Sequence, residues 1–203
     1  MEVTKDGIWA AYGNPLRVAR IDPLTNRVVL SRKLEGATQS QGSILANDGD
    51  ALWAVQRDAW RIWRLDPRSG DTLTTGRIGI DSVEDAALAG GYLWVALEKA
   101  GGVWKVDDRG TPVNKVDTGA LPWAVVPGAG ALWVPNANNG TVTRLDPGTD
   151  ETTTFDVGHR PLGLAVANDR VWVSLGLSAE DARSRIVGSR VLTAAVLGDP
   201  LGG

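Results

Sequence analysis

His159 is the only histidine, cysteine is absent, and the groups able to do acid–base chemistry or hold a ligand are scattered through polar stretches: Glu84-Asp85, Glu98 and His159-Arg160. One imidazole excludes metal centres built on two or three histidines of one chain, and the lack of thiols excludes disulfides and thiolate ligands. Nucleophile motifs are thin as well. Gly176-Leu-Ser-Ala-Glu180 lacks the final glycine of a nucleophile elbow, and no Gly-x-Gly-x-x-Gly or phosphate loop opens a helix. The chemistry left is recognition. Trp123, His159, Arg160, Glu84 and Asp85 offer a stacking surface, hydrogen bonds and charges of both signs, a mixture suited to a small polar ligand or a peptide without covalent chemistry. No cofactor and no metal ligand set is read from these residues, and His159 is the one weak catalytic candidate.

Positioning such residues falls to a repeat. Trp9, Trp53, Trp94, Trp133 and Trp172 recur every 39 to 44 residues, each within a short apolar run such as Gly-Ile-Trp-Ala or Ala-Leu-Trp-Val. Eleven residues after each of the first four comes a cation opening a second motif: Arg20-Ile-Asp-Pro, Arg64-Leu-Asp-Pro, Lys105-Val-Asp-Asp and Arg144-Leu-Asp-Pro. A fixed offset inside a drifting period of about 40 residues marks one repeated unit, the spacing of a propeller blade. Within a unit, β-branched and aromatic runs alternate with Gly/Asn/Asp turns: Ile44 to Ala46, Leu52 to Val55, Trp60 to Leu65 and Thr72 to Ile78. Four strands per unit and no sustained helical period predict an all-β chain, a β-propeller of about five four-stranded blades forming one domain over residues 1–203.

The tryptophans, placed on second strands, are expected to fill the wedge between blades. Asp22, Asp66, Asp107 and Asp146 read as turn formers whose carboxylates accept backbone N–H groups, with metal ligation as the competing reading. Arg20, Arg64, Lys105 and Arg144 form a ring-symmetric set, structural if paired with a turn carboxylate and otherwise an anion-binding ring. Trp60, Trp63 and Trp104 depart from the repeat on third strands. The tail Leu197-Gly-Asp-Pro-Leu-Gly-Gly203 echoes Val157-Gly-His-Arg-Pro-Leu-Gly163, and Met1 to Lys5 reads as a first strand near that tail. A closed five-blade ring and a fragment of a six- or seven-blade propeller both fit. The fifth unit is degenerate, with Arg185-Ile-Val-Gly188 in place of Arg-Leu-Asp-Pro.

Function is expected where the units differ, in loops gathered on one face. The loops entering each unit contain Thr38-Gln-Ser-Gln41, Asp81 to Asp85, Leu121-Pro-Trp123, His159-Arg-Pro161 and Asp199-Pro200; those after each second strand contain Tyr12-Gly-Asn14, Gln56-Arg-Asp58, Glu98-Lys99, Asn136 to Asn139 and Leu175 to Ser184. With 21 basic against 24 acidic side chains and no basic run, the footprint of a nucleic-acid-binding protein is missing. No apolar run approaches the about 18 residues of a membrane-spanning helix, and Met1 to Arg20 lacks the layout of a signal peptide. A soluble monomer is expected, with no membrane insertion, and its compartment is not encoded.

Thr141-Val-Thr-Arg-Leu-Asp-Pro-Gly-Thr-Asp150, followed by Thr154-Phe-Asp-Val-Gly-His-Arg-Pro-Leu-Gly-Leu-Ala-Val-Ala-Asn-Asp-Arg-Val-Trp-Val-Ser174, resembles the repeat of YVTN/YncE-like β-propellers. It is also similar to the streptogramin-lyase (virginiamycin B lyase) and NHL-repeat propellers, and the resemblance covers essentially the whole chain. It implies a non-catalytic binding, sensor or protein-interaction module, part of a longer exported bacterial protein. The alternative it implies is a lyase-like or lactonase-like enzyme using His159 and a divalent cation, with Glu84, Asp85 or Glu98 as oxygen ligands for Mg²⁺. Against that alternative, the second histidine and the His-x-Glu pattern of such lyases are missing here.

Overall fold

A computed structural model of the chain describes residues 1–39, 42–79, 82–176 and 195–197. Its elements are all strands: β1 (Glu2–Thr4), β2 (Gly7–Tyr12), β3 (Arg17–Asp22) and β4 (Arg27–Lys33); β5 (Ser43–Asn47), β6 (Leu52–Gln56), β7 (Arg61–Leu65) and β8 (Thr72–Arg77); β9 (Val83–Ala89), β10 (Tyr92–Leu97), β11 (Gly102–Val106) and β12 (Pro112–Asp117); β13 (Val126–Gly128), β14 (Ala131–Asn136), β15 (Thr141–Leu145) and β16 (Thr152–Asp156); β17 (Pro161–Ala167), β18 (Arg170–Leu175) and β19 (Ala195–Leu197). They form five antiparallel meanders in chain order, four of four strands and a fifth of three among the described residues. Ser40, Gln41, Asp81, the Arg185 to Gly188 motif and Asp199-Pro200 lie outside the described residues, and so does any pairing of the tail with Met1 to Lys5.

Each repeat tryptophan stands on the second strand of its blade, and in the first four blades its cross-strand partner is the repeat cation: Trp9 faces Arg20, Trp53 faces Arg64, Trp94 faces Lys105 and Trp133 faces Arg144. The eleven-residue offset is therefore a hairpin register. The strands close through residues that accept a left-handed backbone; Asn168 and Asp169, at φ 51° and 55°, make the two-residue turn between β17 and β18. Trp60 differs from the sequence expectation. It lies in the turn before β7 at φ 55°, because its carbonyl is needed there to accept the Ile78 N–H at 2.9 Å. Trp63 and Trp104 are on third strands as expected.

Packing runs between blades. Trp9 lies in one apolar layer with Leu52 and Leu65 of the second blade, Trp53 with Leu93 and Val106 of the third, Trp94 with Leu132 and Leu145 of the fourth, and Trp133 with Val171 and Val173 of the fifth. Those four rings are at most 2 % exposed, whereas Trp172 is 39 % exposed. Burying an indole this way contributes about 2–3 kcal/mol of transfer free energy.

Two of the repeat cations, Arg20 and Lys105, join the same boundaries. Arg20 donates from Nη1 to the Arg68 carbonyl in the second blade's outer turn at 2.8 Å, and Lys105 donates from Nζ to Asp150 Oδ1 at 2.6 Å and to the Pro147 carbonyl at 3.3 Å in the fourth blade's turn. The turn aspartates act as the sequence suggests. Asp22 Oδ1 accepts the Leu24 N–H at 2.8 Å, Asp66 Oδ1 that of Arg68 at 2.7 Å, Asp107 Oδ1 that of Thr111 at 2.8 Å and Asp146 Oδ1 that of Gly148 at 2.8 Å. The carboxylates thus shape the turns that Arg20 and Lys105 meet in the second and fourth blades.

Candidate functional site

The two sets of variable loops meet on one face through backbone hydrogen bonds. Glu98 donates its N–H to Ser82 O at 3.0 Å, Ala137 to Leu121 O at 3.1 Å, Val157 to Gly140 O at 2.9 Å and Gly176 to Arg160 O at 2.8 Å. Between the fourth and fifth blades these loops leave a cleft of about 370 Å³, with Asn138, Asn139, Gly140, Gly158, His159 and Arg160 among its walls. The glycines let the backbone turn sharply: Gly140 and Gly158 have φ 66° and 75°, a conformation that strains residues with a side chain.

His159 and Arg160 therefore share this cleft. Trp123 is half-buried, its indole N–H donated to the carbonyl of Pro161 at 3.0 Å, so the ring ties the fourth blade's entry loop to the start of β17. Glu84 and Asp85 stand on β9 in the third blade, and each already has a partner. Glu84 Oε2 meets Arg57 Nη2 at 2.7 Å, Glu84 Oε1 accepts from Ser82 Oγ at 3.2 Å, and Arg57 Nε donates to the Val83 carbonyl at 2.8 Å. Asp85 Oδ2 accepts the Val125 N–H of the fourth blade at 3.0 Å. Burial holds the Asp85 carboxyl above the usual carboxylate range, with Glu84 adding to the push and the N–H groups of Val125 and Ala86 and the charge of Arg57 opposing it.

The five residues thus divide into His159 and Arg160 in the cleft wall, Trp123 tied to Pro161 next to Arg160, and Glu84 with Asp85 as links between blades. Among the described residues, no group of three or more His, Cys, Asp or Glu side chains is arranged to hold a metal ion. Sequence reasoning had Asn138, Asn139 and Arg57 within variable loops without assigning them to the site. It placed Gln56 and Asn136 in those loops as well, whereas both are buried amides that end β6 and β14. Gln56 Nε2 donates to Thr38 O at 2.7 Å, and Asn136 Nδ2 donates to Thr118 O at 2.9 Å and to Thr143 Oγ1 at 2.9 Å. Their signal was an amide ending an apolar run, in Leu-Trp-Ala-Val-Gln56 and Leu-Trp-Val-Pro-Asn136.

No protein-family model matches the chain, and no curated protein sequence matches it. Solved structures do. The virginiamycin B lyase of Staphylococcus aureus superposes with a TM-score of 0.65 at 19% identity, over 82% of this chain and 62% of that one. The β-propeller domain of Cps50 (Swd1) from Myceliophteria thermophila gives 0.67 at 18% identity, over 86% and 61%. A chain of a mitotic checkpoint complex gives 0.69 at 16% identity, over 86% and 58%. The chain is a β-propeller. Identities this low show shared architecture alone, and the propeller spans about three-fifths of the length of each of these three chains. Among its described residues, no helix is long and apolar enough to cross a membrane.

Proposed function

We propose that this propeller is a non-catalytic binding module, YncE-like in its repeat, that takes a small polar ligand or a peptide in the cleft between the fourth and fifth blades. The observation that carries the reading is the composition of the cleft wall: an arginine, a histidine, two asparagines and glycine backbone, with no carboxylate among the lining residues. Such a wall favours a ligand with an anionic or acceptor-rich group, which Arg160 can engage with two parallel N–H donors. Two of the three carboxylates that an enzyme of the lyase type would use for a cation are engaged elsewhere, Glu84 with Arg57 and Asp85 with Val125. Solved structures of similar fold include a chain of a protein complex, which accords with a peptide or protein partner.

Calorimetric titration with small carboxylates and acidic peptides tests this. Arg160→Ala is expected to weaken binding by about tenfold or more with the melting temperature unchanged, since Arg160 is exposed. His159→Ala is expected to weaken it less. No binding by the wild-type protein, or equal binding by the Arg160 variant, overturns the proposal. Cation-dependent turnover of virginiamycin B that is abolished by His159→Ala would instead establish the enzyme reading.

A further inference from the structure

Asn139 before Gly140 is the one Asn-Gly step in the sequence, and the fold sets it in the wall of the cleft between the fourth and fifth blades. Asn139 is exposed, and two backbone groups bear on its side-chain amide. The first is the N–H of Ala120, which is donated to Asn139 Oδ1. A backbone N–H can meet only the oxygen of such an amide, so this bond fixes which end is oxygen and which is Nδ2. The second is the nitrogen of Gly140. No side chain shields it, and among the described residues its N–H is donated to no acceptor. The other asparagines of this loop are placed differently. Asn138 is exposed in the same wall, but the nitrogen that follows it, that of Asn139, is held by the Asn136 carbonyl at 3.2 Å. Asn136 is buried, with Nδ2 donated to Thr118 O and Thr143 Oγ1.

We propose that Asn139 is a self-modifying site, where the folded protein gives up the side-chain amide to its own backbone. The Gly140 nitrogen attacks Asn139 Cγ; the N–Cγ bond forms, the Cγ–Nδ2 bond breaks, and Nδ2 leaves as ammonia with the proton that the Gly140 nitrogen loses. During the attack negative charge gathers on Oδ1, the atom to which the Ala120 N–H is already donated. Water then opens the cyclic imide at either carbonyl carbon. Opening at Cγ gives aspartate, and opening at the main-chain carbonyl carbon gives isoaspartate, whose backbone runs through Cβ and Cγ. Either product carries a negative charge at neutral pH, where the amide carried none. The cleft wall has Arg160 and no carboxylate among its lining residues, so the modification sets a carboxylate in the same wall as the guanidinium and opposes an anionic ligand by like charge. This consequence for binding rests on the reading of the cleft as an anion site, and the chemistry at Asn139 does not.

Peptide mapping by mass spectrometry tests the proposal on protein kept in mildly alkaline buffer, one sample folded and the other unfolded in guanidinium chloride. In the folded protein the amide-to-acid mass change is expected at Asn139, with isoaspartate among the products, at a rate no lower than in the unfolded chain, while Asn138 keeps its amide. A folded protein that keeps the Asn139 amide, that loses it more slowly than the unfolded chain, or that loses the Asn138 amide equally fast overturns the proposal. Calorimetric titration with succinate reads the change of charge. Asn139→Asp is expected to bind about fivefold or more weakly than Asn139→Gln, which keeps an amide. Equal binding by these two variants overturns the effect on the cleft. Absence of succinate binding by fresh wild-type protein counts against the anion site and not against the modification, which the mapping decides.

Discussion

Asp85 shows how a residue chosen for its chemistry can serve the architecture instead. Its carboxylate bridges the third and fourth blades through the Val125 N–H, and burial raises its pKa, as burial also raises that of Glu2, on which the Asp85 charge adds a further push. For both groups the protonated form is better accommodated in the folded state. The stability they contribute is present below the ordinary carboxylate pKa and is lost as the pH rises through their elevated folded values. Asp22, Asp66 and Asp146 have the opposite sign. Backbone N–H groups of their turns hold their pKa values down, so their contribution is present above the ordinary carboxylate pKa and is lost as the pH falls through the lowered ones. The melting temperature is therefore expected to peak in weakly acidic solution. Asp85→Asn should raise it at neutral pH and flatten the decline on the alkaline side, while leaving the acid side in place. Scanning calorimetry between about pH 4 and pH 8 checks this, and a variant curve parallel to that of the wild type would refute the assignment.

At the scale of the blade, the repeat tryptophans are chemically equivalent and energetically unequal. Trp133 lies between the fourth and fifth blades, its ring centroid 6.0 Å from that of Phe155, and Trp133→Ala should cost about 3–5 kcal/mol by leaving a cavity. Trp172→Ala at the same register should cost less, because the residue is 39 % exposed where Trp133 is 2 % exposed. Urea melts of the two variants decide the point, and equal losses would show that Trp172 is covered. The cation latch is testable in the same way. Lys105 is nearly buried, beneath Asp150 and over the faces of Tyr92 and Trp94 at 4.2 and 5.1 Å, so Lys105→Met should cost about 2 kcal/mol, with the Asp150 carboxylate keeping the Asn114 amide at 2.8 Å. A neutral substitution there would mean that the apolar stem of the side chain carries the contact.

Over the whole molecule, stability is expected to be graded along the chain. Among the described residues, the second, third and fourth blades are each packed between two neighbours in sequence, the arrangement of a repeat array in which each unit is held by the next. Amide exchange should accordingly be slowest in β6, β10 and β14, where every residue but Tyr92 is buried, and faster in β2 and β18, where buried and open positions alternate. Uniform protection across the five blades would refute this grading.

The sequence by itself determined the architecture, because strand alternation, turn residues and the tryptophan-to-cation offset are local properties, and a repeated local pattern can be read without knowing what packs on what. The turn role of Asp22, Asp66, Asp107 and Asp146 was legible for the same reason: each carboxylate reaches N–H groups two to four residues along the chain. Trp60 was misplaced because its left-handed backbone answers to Ile78, eighteen residues away. Only the tertiary structure separated the five rim residues into a cleft and a pair of blade links, since the partners of Glu84 and Asp85 come from the second and fourth blades. It alone showed that Trp172 and Ile8 differ in exposure from their equivalents. Burial is decided by what lies across a boundary, and a residue carries no record of its neighbour in space.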